Sequence, residues 1–267
     1  MDWAASFSIL TRPGVMTYIL TGVLFTVVIA AAAVLVSIVL GSILALVRNY
    51  CTGKTRIFKW IATAYIELFR NTPLLLWIFV CLIICPVPGF LARRMLGLTS
   101  VEVQILFRAF VALVLFTSSV IAEIIRGGLN SIPKGQFEAA HSQGFGTVQT
   151  MVYIVLPQAY KAVVPTLLSQ VITTIKDSSY LANVAVIELM SRVRRILATS
   201  NMYNGVGTQL TSDVFVLFGV AFVIYFIINF TLSCIVRHAK PQAAPGSPPG
   251  ARRRAHLKED AAWLKSM

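Results

Sequence analysis

Charge is what this sequence has least of. Of its 267 residues only 12% are Asp, Glu, Lys or Arg, against 57% hydrophobic residues, where a soluble domain carries about a quarter charged residues. Mean hydropathy is +0.78. So few polar side chains cannot cover a water-soluble core, which excludes an ordinary soluble globule. Negative charge is scarcest, with 10 acidic residues against 23 Lys and Arg. A basic excess can serve nucleic acid. Here, though, the cations punctuate long apolar runs instead of forming a stripe with interleaved aromatics, which is the arrangement of membrane topology. Nucleic acid is therefore not an expected partner.

Reactive groups are also sparse. The four cysteines, Cys51, Cys81, Cys85 and Cys234, form no C-x-x-C pair and suggest neither a disulfide framework nor a zinc site. His141, His238 and His256 have no metal-ligand spacing, and no nucleophile stands with a base. No G-x-x-x-x-G-K-[ST] phosphate loop is present, since Gly53-Lys54 lacks the upstream glycine. The chain itself is thus expected to carry no metal, no cofactor and no catalytic residue. Its first apolar stretch exceeds the roughly 7–15 residues of a signal-peptide core and follows Asp2 instead of a basic cluster, so no cleavable signal is expected.

What is abundant is uninterrupted apolar sequence. A helix crosses the bilayer in about 20 residues, and five segments qualify. The first lies within 15–47, uncharged between Arg12 and Arg48. The second lies within 60–85, closed by Pro86-Val87-Pro88-Gly89. The others are about 103–124, 162–187 and 214–236. The expected fold is all-α and integral to the membrane, with five transmembrane helices in residues 1–240. The first run is longer than a span needs, which predicts tilt or an interfacial N-terminal piece. Residues 241–267, rich in Pro and Gly and carrying Arg252-Arg253-Arg254, are expected to be a disordered basic cytoplasmic tail drawn to anionic lipid.

Loop charge orients the chain with its N-terminus outside. The inner side then holds Arg48, Lys54, Arg56, Lys59, Arg126, Lys134, Lys161, Arg237 and Lys240. The outer side holds Arg12, Arg93, Arg94, Arg192, Arg194 and Arg195. Those outer arginines suit an anionic cargo, an acidic partner or outer-leaflet lipid.

The stretch 126–161 is too polar to cross and too patterned for a plain loop. Ser131 is the expected N-cap of a short helix, with Pro133 in its first turn. Gly144-Phe145-Gly146 is its expected stop, and Pro157 the expected break before the next span. Glu138-Ala139-Ala140, then Gly144, Ile154 and Leu156-Pro157, occupy every defining position of the EAA loop of ABC importer permeases, placed here at 131–157. Ser131 to Gln136, the run Glu67 to Leu75, and Lys176-Asp177-Ser178-Ser179 narrow the likeness. Over about residues 18–236 the sequence resembles the polar amino acid uptake permeases, the histidine, glutamine and glutamate type.

That resemblance implies a permease subunit in a bacterial inner or plasma membrane, paired with a second permease that is identical or homologous. It implies two ATP-binding ABC subunits, each receiving an EAA helix in a groove, and an extracytoplasmic amino-acid-binding protein. It implies coupling through Glu138, Ala139, Ala140, Gly144 and Pro157. With no phosphate loop of its own, the chain would receive ATP-driven movement through this contact and translocate cargo by alternating access. Glutamate or glutamine is the preferred cargo, from the basic outer loops and Arg108.

An ionised side chain at mid-membrane costs about 2.5–3.5 kcal/mol on insertion scales. Lys176 and Asp177 sit near the centre of the fourth span and, being adjacent, point in different directions. They serve either a gate or cargo pathway, or a structural pairing with charges on neighbouring spans. Glu67 with Arg70 and Glu123 with Arg126 are spaced to pair with each other, as neutralised helix ends, an inner gate or a brace for the loop. Arg108 either snorkels outward or meets a substrate carboxylate; it departs from the family pattern, so the resemblance assigns it nothing. Gly22, Gly41 and Gly219 suit close helix packing. The rival function, an ion-gradient-driven secondary transporter, predicts inverted repeats, and no repeat is evident. A scaffold without transport would leave Lys176-Asp177 and the spaced motif unexplained.

Overall fold

A computed structural model of the chain describes residues 2–91, 93–95 and 97–239, with side chains described to Val236. The expected boundary at 240 and the tail 241–267 lie outside the described residues. Within them the chain is helical and has no strand. Four helical segments are long and apolar enough to cross a membrane: Val15–Tyr50, Ser100–Asn130, Thr147–Val184 and Thr211–Val236. A fifth is counted if the bent pair Gly53–Arg70 and Leu74–Ile84 makes one span.

Helix α1 (Trp3–Thr11) is the short N-terminal piece, started by the Asp2 carboxylate, which accepts the Ala5 N–H. Gly14, at φ +86°, turns the chain into α2 (Val15–Tyr50). Thirty-six residues make α2 about 54 Å long, well beyond the roughly 30 Å of hydrocarbon.

The second span departs from expectation. Instead of one helix over 60–85, α3 (Arg56–Arg70) and α4 (Leu74–Ile84) meet at 113°. Pro73 has no N–H to give and holds extended geometry (ψ 135°), and its ring disfavours helix at Thr72. The corner is stitched by Thr72, whose hydroxyl donates to the Leu68 carbonyl at 2.6 Å and accepts the Trp77 indole N–H at 2.6 Å.

Helix α5 (Ser100–Asn130) starts in a capping box between Thr99 and Glu102. It is the central post, packing against α2, α3, α4 and α8. Small residues let α2 approach it. A Cβ on Gly41 would lie 2.8 Å from Ile121 Cγ2 and 2.9 Å from the Ser118 carbonyl oxygen, and the Ser37 hydroxyl donates to the Val114 carbonyl at 3.1 Å. Gly22 is equally close to Leu189 and Arg192, whereas a Cβ on Gly219 would meet nothing within 4 Å. Two of the three expected packing glycines therefore sit at contacts.

After α6 (Lys134–Ser142) the chain returns through a single turn, α7 (Thr147–Gln149), and a π-helical stretch Thr150–Val155 into α8 (Leu156–Asp177). Pro157 does not break this segment as expected. The Leu156 N–H reaches back five residues to the Met151 carbonyl. Such a widened turn gives room for the proline ring next to the carbonyl it would otherwise strike. A 3₁₀ stretch, Ser178–Val184, ends at left-handed Ala185. Then come α9 (Leu189–Ala198), α10 (Ser200–Tyr203) and α11 (Thr211–Ala239).

Candidate functional site

The EAA segment forms a knuckle at one end of the bundle. Ser131 is not its N-cap: the serine caps α5 instead, its hydroxyl donating to the Gly128 carbonyl at 2.7 Å, and Pro133 stands at the start of α6. The glycine stop is as expected. Gly144 adopts φ +80°, its N–H bonds to the His141 carbonyl at 3.0 Å, and the Phe145 N–H bonds to the Ala140 carbonyl at 3.1 Å. This is a Schellman closure, which needs the left-handed residue.

Ala140 is buried and Phe137 half-buried. Both face the π-turn, where Val155, Ala159, Met151 and Tyr160 form a common cluster with Phe137, and Gln158 donates to Gln136 at 3.1 Å. Glu138, Ala139, His141, Ser142 and Gly144 are exposed, with Phe145, Val148 and Tyr153 exposed beside them. Beneath the knuckle, Gly128 brings α5 against α8: a Cβ there would lie 3.0 Å from the Ala159 carbonyl oxygen. The spaced motif thus builds a short rigid helix, anchored along one stripe and open along the rest.

At the same end of α5 the four expected charges come together, but not in the expected pairs. Glu67 does not take Arg70. Its Oε1 accepts from Arg48 at 2.9 Å, and Arg48 also donates to Glu123 at 2.9 Å. Arg70 lies 3.9 Å from Glu123, and Arg126 binds Glu123 at 2.5 Å, which is the one of the two pairings expected from spacing that forms. The result ties α2, α3 and α5 together. Arg48 was overlooked as its centre; the available signal was the first cation after the long uncharged run. Next to it, Asn49 donates to Asn130 at 3.0 Å.

Arg108 takes a third role besides the two weighed. Its Nε donates to the Cys85 carbonyl at 3.1 Å, and Cys85 is the C-cap of α4. A guanidinium there meets the negative end of the helix.

Lys176 and Asp177 close α8, and neither forms an ion pair with a described residue. Lys176 is exposed on a groove of about 420 Å³ between α8 and α11, shared with Tyr225, Asn229, Ser233 and the stacked rings of Phe222, Phe226 and Phe230. The Asn229 side-chain oxygen is buried and has no hydrogen-bond partner among the described residues. Glu188, which sequence reasoning passed over, is fully buried. It caps α9 through the N–H groups of Met190 and Ser191 and accepts the Tyr225 hydroxyl at 3.1 Å, so its charge site is filled by local donors. Of the arginines at the end opposite the knuckle, Arg192 lies over the Tyr18 ring at 4.3 Å, and Arg93 and Arg94 are exposed.

Residues 37–244 match the family described as "Binding-protein-dependent transport system inner membrane component". The chain belongs to this family. It is a multi-span membrane permease component, a part of a transporter. It is 35% identical over 86% of its length to the glutamate/aspartate import permease protein GltK of Escherichia coli O6:H1, covering 95% of that protein. It is 33% identical to the probable glutamine ABC transporter permease protein GlnP of Bacillus subtilis, over 83% of this chain and 92% of that one. The crystal structure of an amino acid ABC transporter with histidines matches with a TM-score of 0.64 at 24% identity, covering 86% of this chain and 98% of that chain. At that identity the likeness speaks for the fold.

Proposed function

We propose that this permease component moves a polar amino acid into a bacterial cell as one of two permease subunits, identical or homologous, driven by two ATP-binding subunits and fed by an extracytoplasmic binding protein. The observation that carries the reading is the knuckle: α6 is anchored through Ala140 and Phe137 and leaves Glu138, Ala139 and Gly144 open. A helix so placed suits a partner's groove, and the rigid α5–α8 contact beneath it at Gly128 is a route for movement into the bundle. In this reading the knuckle end is cytoplasmic, the N-terminus outside and the C-terminus inside. Pro157 acts through the π-turn on which α6 rests.

Glutamate, aspartate or glutamine is the proposed cargo. Its support is the named cargo of relatives that align over most of this chain, together with the basic end opposite the knuckle. Lys176 is the proposed pathway residue, since it faces a groove shared with the Asn229 oxygen, which has no partner among the described residues; Asp177 is its neighbour at the gate. Glu67 and Arg70 act as part of the brace centred on Arg48 and Glu123.

The test is uptake of labelled glutamate, aspartate, glutamine and histidine into proteoliposomes holding the complete assembly. ATP-dependent accumulation of the first three is expected, lost in Lys176→Met with subunit composition unchanged. Accumulation that persists without the ATP-binding subunits overturns the reading. Misassembly of Lys176→Met overturns the pathway role.

A further inference from the structure

A fully buried carboxylate needs donors, and the cap of α9 accounts for only part of what surrounds Glu188. Its two oxygens take the N–H groups of Ser191 and Met190, the latter at 2.9 Å, which completes the cap. The Tyr225 hydroxyl, donating at 3.1 Å, arrives from α11 and is surplus to that cap. The Thr26 hydroxyl of α2 lies 3.5 Å from the same carboxylate oxygen and accepts the Leu189 N–H at 3.1 Å. Three helices, α2, α9 and α11, therefore meet at one side chain. Among the described residues, the Tyr225 bond is the one hydrogen bond between α11 and α9 with its cap. Packing already seats α9, since Leu189, Val193 and Ile196 cluster with Ile19 of α2 and with Leu217 and Ala221 of α11.

What the bond adds is a link between two places. Tyr225 also lines the α8–α11 groove with Lys176 and Asn229, and its carbonyl accepts the Asn229 side-chain N–H at 2.7 Å. Helix α9 carries Arg192, Arg194 and Arg195 of the basic end within its 10 residues, a length of about 15 Å. The backbone makes a second, independent link. Directly after Lys176 and Asp177 come the 3₁₀ stretch Ser178–Val184 and Ala185 at φ +59°. An L residue keeps that conformation only where its surroundings impose it, and 3₁₀ stretches of this kind mark hinges. Helix α9 is thus hinged to the α8 wall of the groove and latched to the α11 wall by Tyr225.

We propose that Tyr225 is a positioning residue for transport: its hydroxyl latches α9 to the groove wall, so that docking at the outer arginines and the state of the Lys176 groove change together. It acts through Glu188 and α9. The inference rests on the proposed transport function and names one residue that couples its outer end to its pathway.

The test uses the complete assembly in proteoliposomes with Tyr225→Phe, which deletes the hydroxyl but keeps the ring in the groove wall and both backbone donors on Glu188. ATP hydrolysis is measured with and without the amino-acid-loaded binding protein, beside uptake of the labelled amino acid that wild type accumulates. Subunit composition and unstimulated hydrolysis are expected to match wild type. The increment that the loaded binding protein adds to hydrolysis is expected to fall about tenfold, and uptake with it, the worth of one hydrogen bond to a carboxylate. A purely structural bond leaves that increment alone, so an increment equal to wild type overturns the proposal. Loss of assembly in Tyr225→Phe overturns it too. Wild type that accumulates no amino acid overturns the transport function itself, and the inference with it.

Discussion

Replacing Gly144 separates what the knuckle's backbone requires from what a partner's groove requires. The residue sits at φ +80°, and a Cβ added to it meets nothing within 4 Å. Gly144→Ala therefore brings no clash, only the left-handed penalty of an L residue, roughly 1–2 kcal/mol. If that strain is relieved by opening the Schellman closure, the docking-competent form of α6 falls by about 5–30-fold, and apparent affinity for the ATP-binding subunit falls by the same factor. Asn tolerates the left-handed region far better than Ala, so Gly144→Asn restores most of the affinity despite its larger side chain. Gly144→Asp adds a charge to the exposed surface and is expected to uncouple the complex while the permease remains inserted. The assay is titration of the detergent-extracted permease with purified ATP-binding subunit, alongside ATP-driven uptake. An Ala variant that binds normally, or an Asn variant weaker than Ala, refutes the backbone argument.

Other substitutions test the remaining packing. Arg48 bridges Glu67 and Glu123 at 2.9 Å each with only 19% of its side chain exposed. Arg48→Ala is expected to destabilise the extracted protein by about 1–3 kcal/mol, between the values for exposed and buried pairs, and Arg48→Lys recovers less than half because one ammonium cannot fork; equal thermal midpoints for Arg and Lys would contradict this. Gly41→Val forces α2 away from the α5 backbone and is expected to abolish folding yield, whereas Gly219→Val leaves the subunit fold intact; size-exclusion profiles of the two variants decide. Arg108→Gln loses the charged cap on α4 and is expected to lower stability by about 1–2 kcal/mol with unchanged KM for acidic and neutral amino acids. A selective rise in KM for the acidic ones would return Arg108 to the cargo.

Hydropathy showed where the membrane is crossed but not how the second crossing is made. Residues 60–85 are apolar enough on average, and averaging hid two different helices. Residues 56–70 alternate Lys59, Glu67 and Arg70 with apolar residues at helical period, the signature of a helix that lies at a boundary, while 74–84 is uniformly apolar. Thr72-Pro73 marks the junction. Pro157 reads as a break, yet a π-turn absorbs it, whereas Pro73 stands where the chain turns. The difference lies in what surrounds each one. Pro73 has Thr72 and Trp77 to satisfy the opened turn, so the bend is stable. Pro157 lies between Val155 and Ala159, both buried in the cluster beneath α6, so packing keeps the axis running through it.

The same contrast governs the charges. Spacing rules see neighbours along one helix, and Glu123–Arg126 obeys them. Glu67 and Arg70 have the same spacing, yet Arg48 arrives from another helix, takes Glu67 and leaves Arg70 to Glu123. A local pair exchanges one exposed contact for another. A guanidinium that forks between two carboxylates on α3 and α5 satisfies both with one immobilised side chain. The network also fixes where the motif can act. It joins α2, α3 and α5 at the end where α5 runs into α6, so under the proposed function a push on the knuckle would meet a braced end. Had Glu67 and Arg70 closed on each other, α3 would be held to the bundle by apolar contacts and the Tyr65 hydroxyl's bonds to Leu115 and Ser118, with no ion pair to α2 or α5.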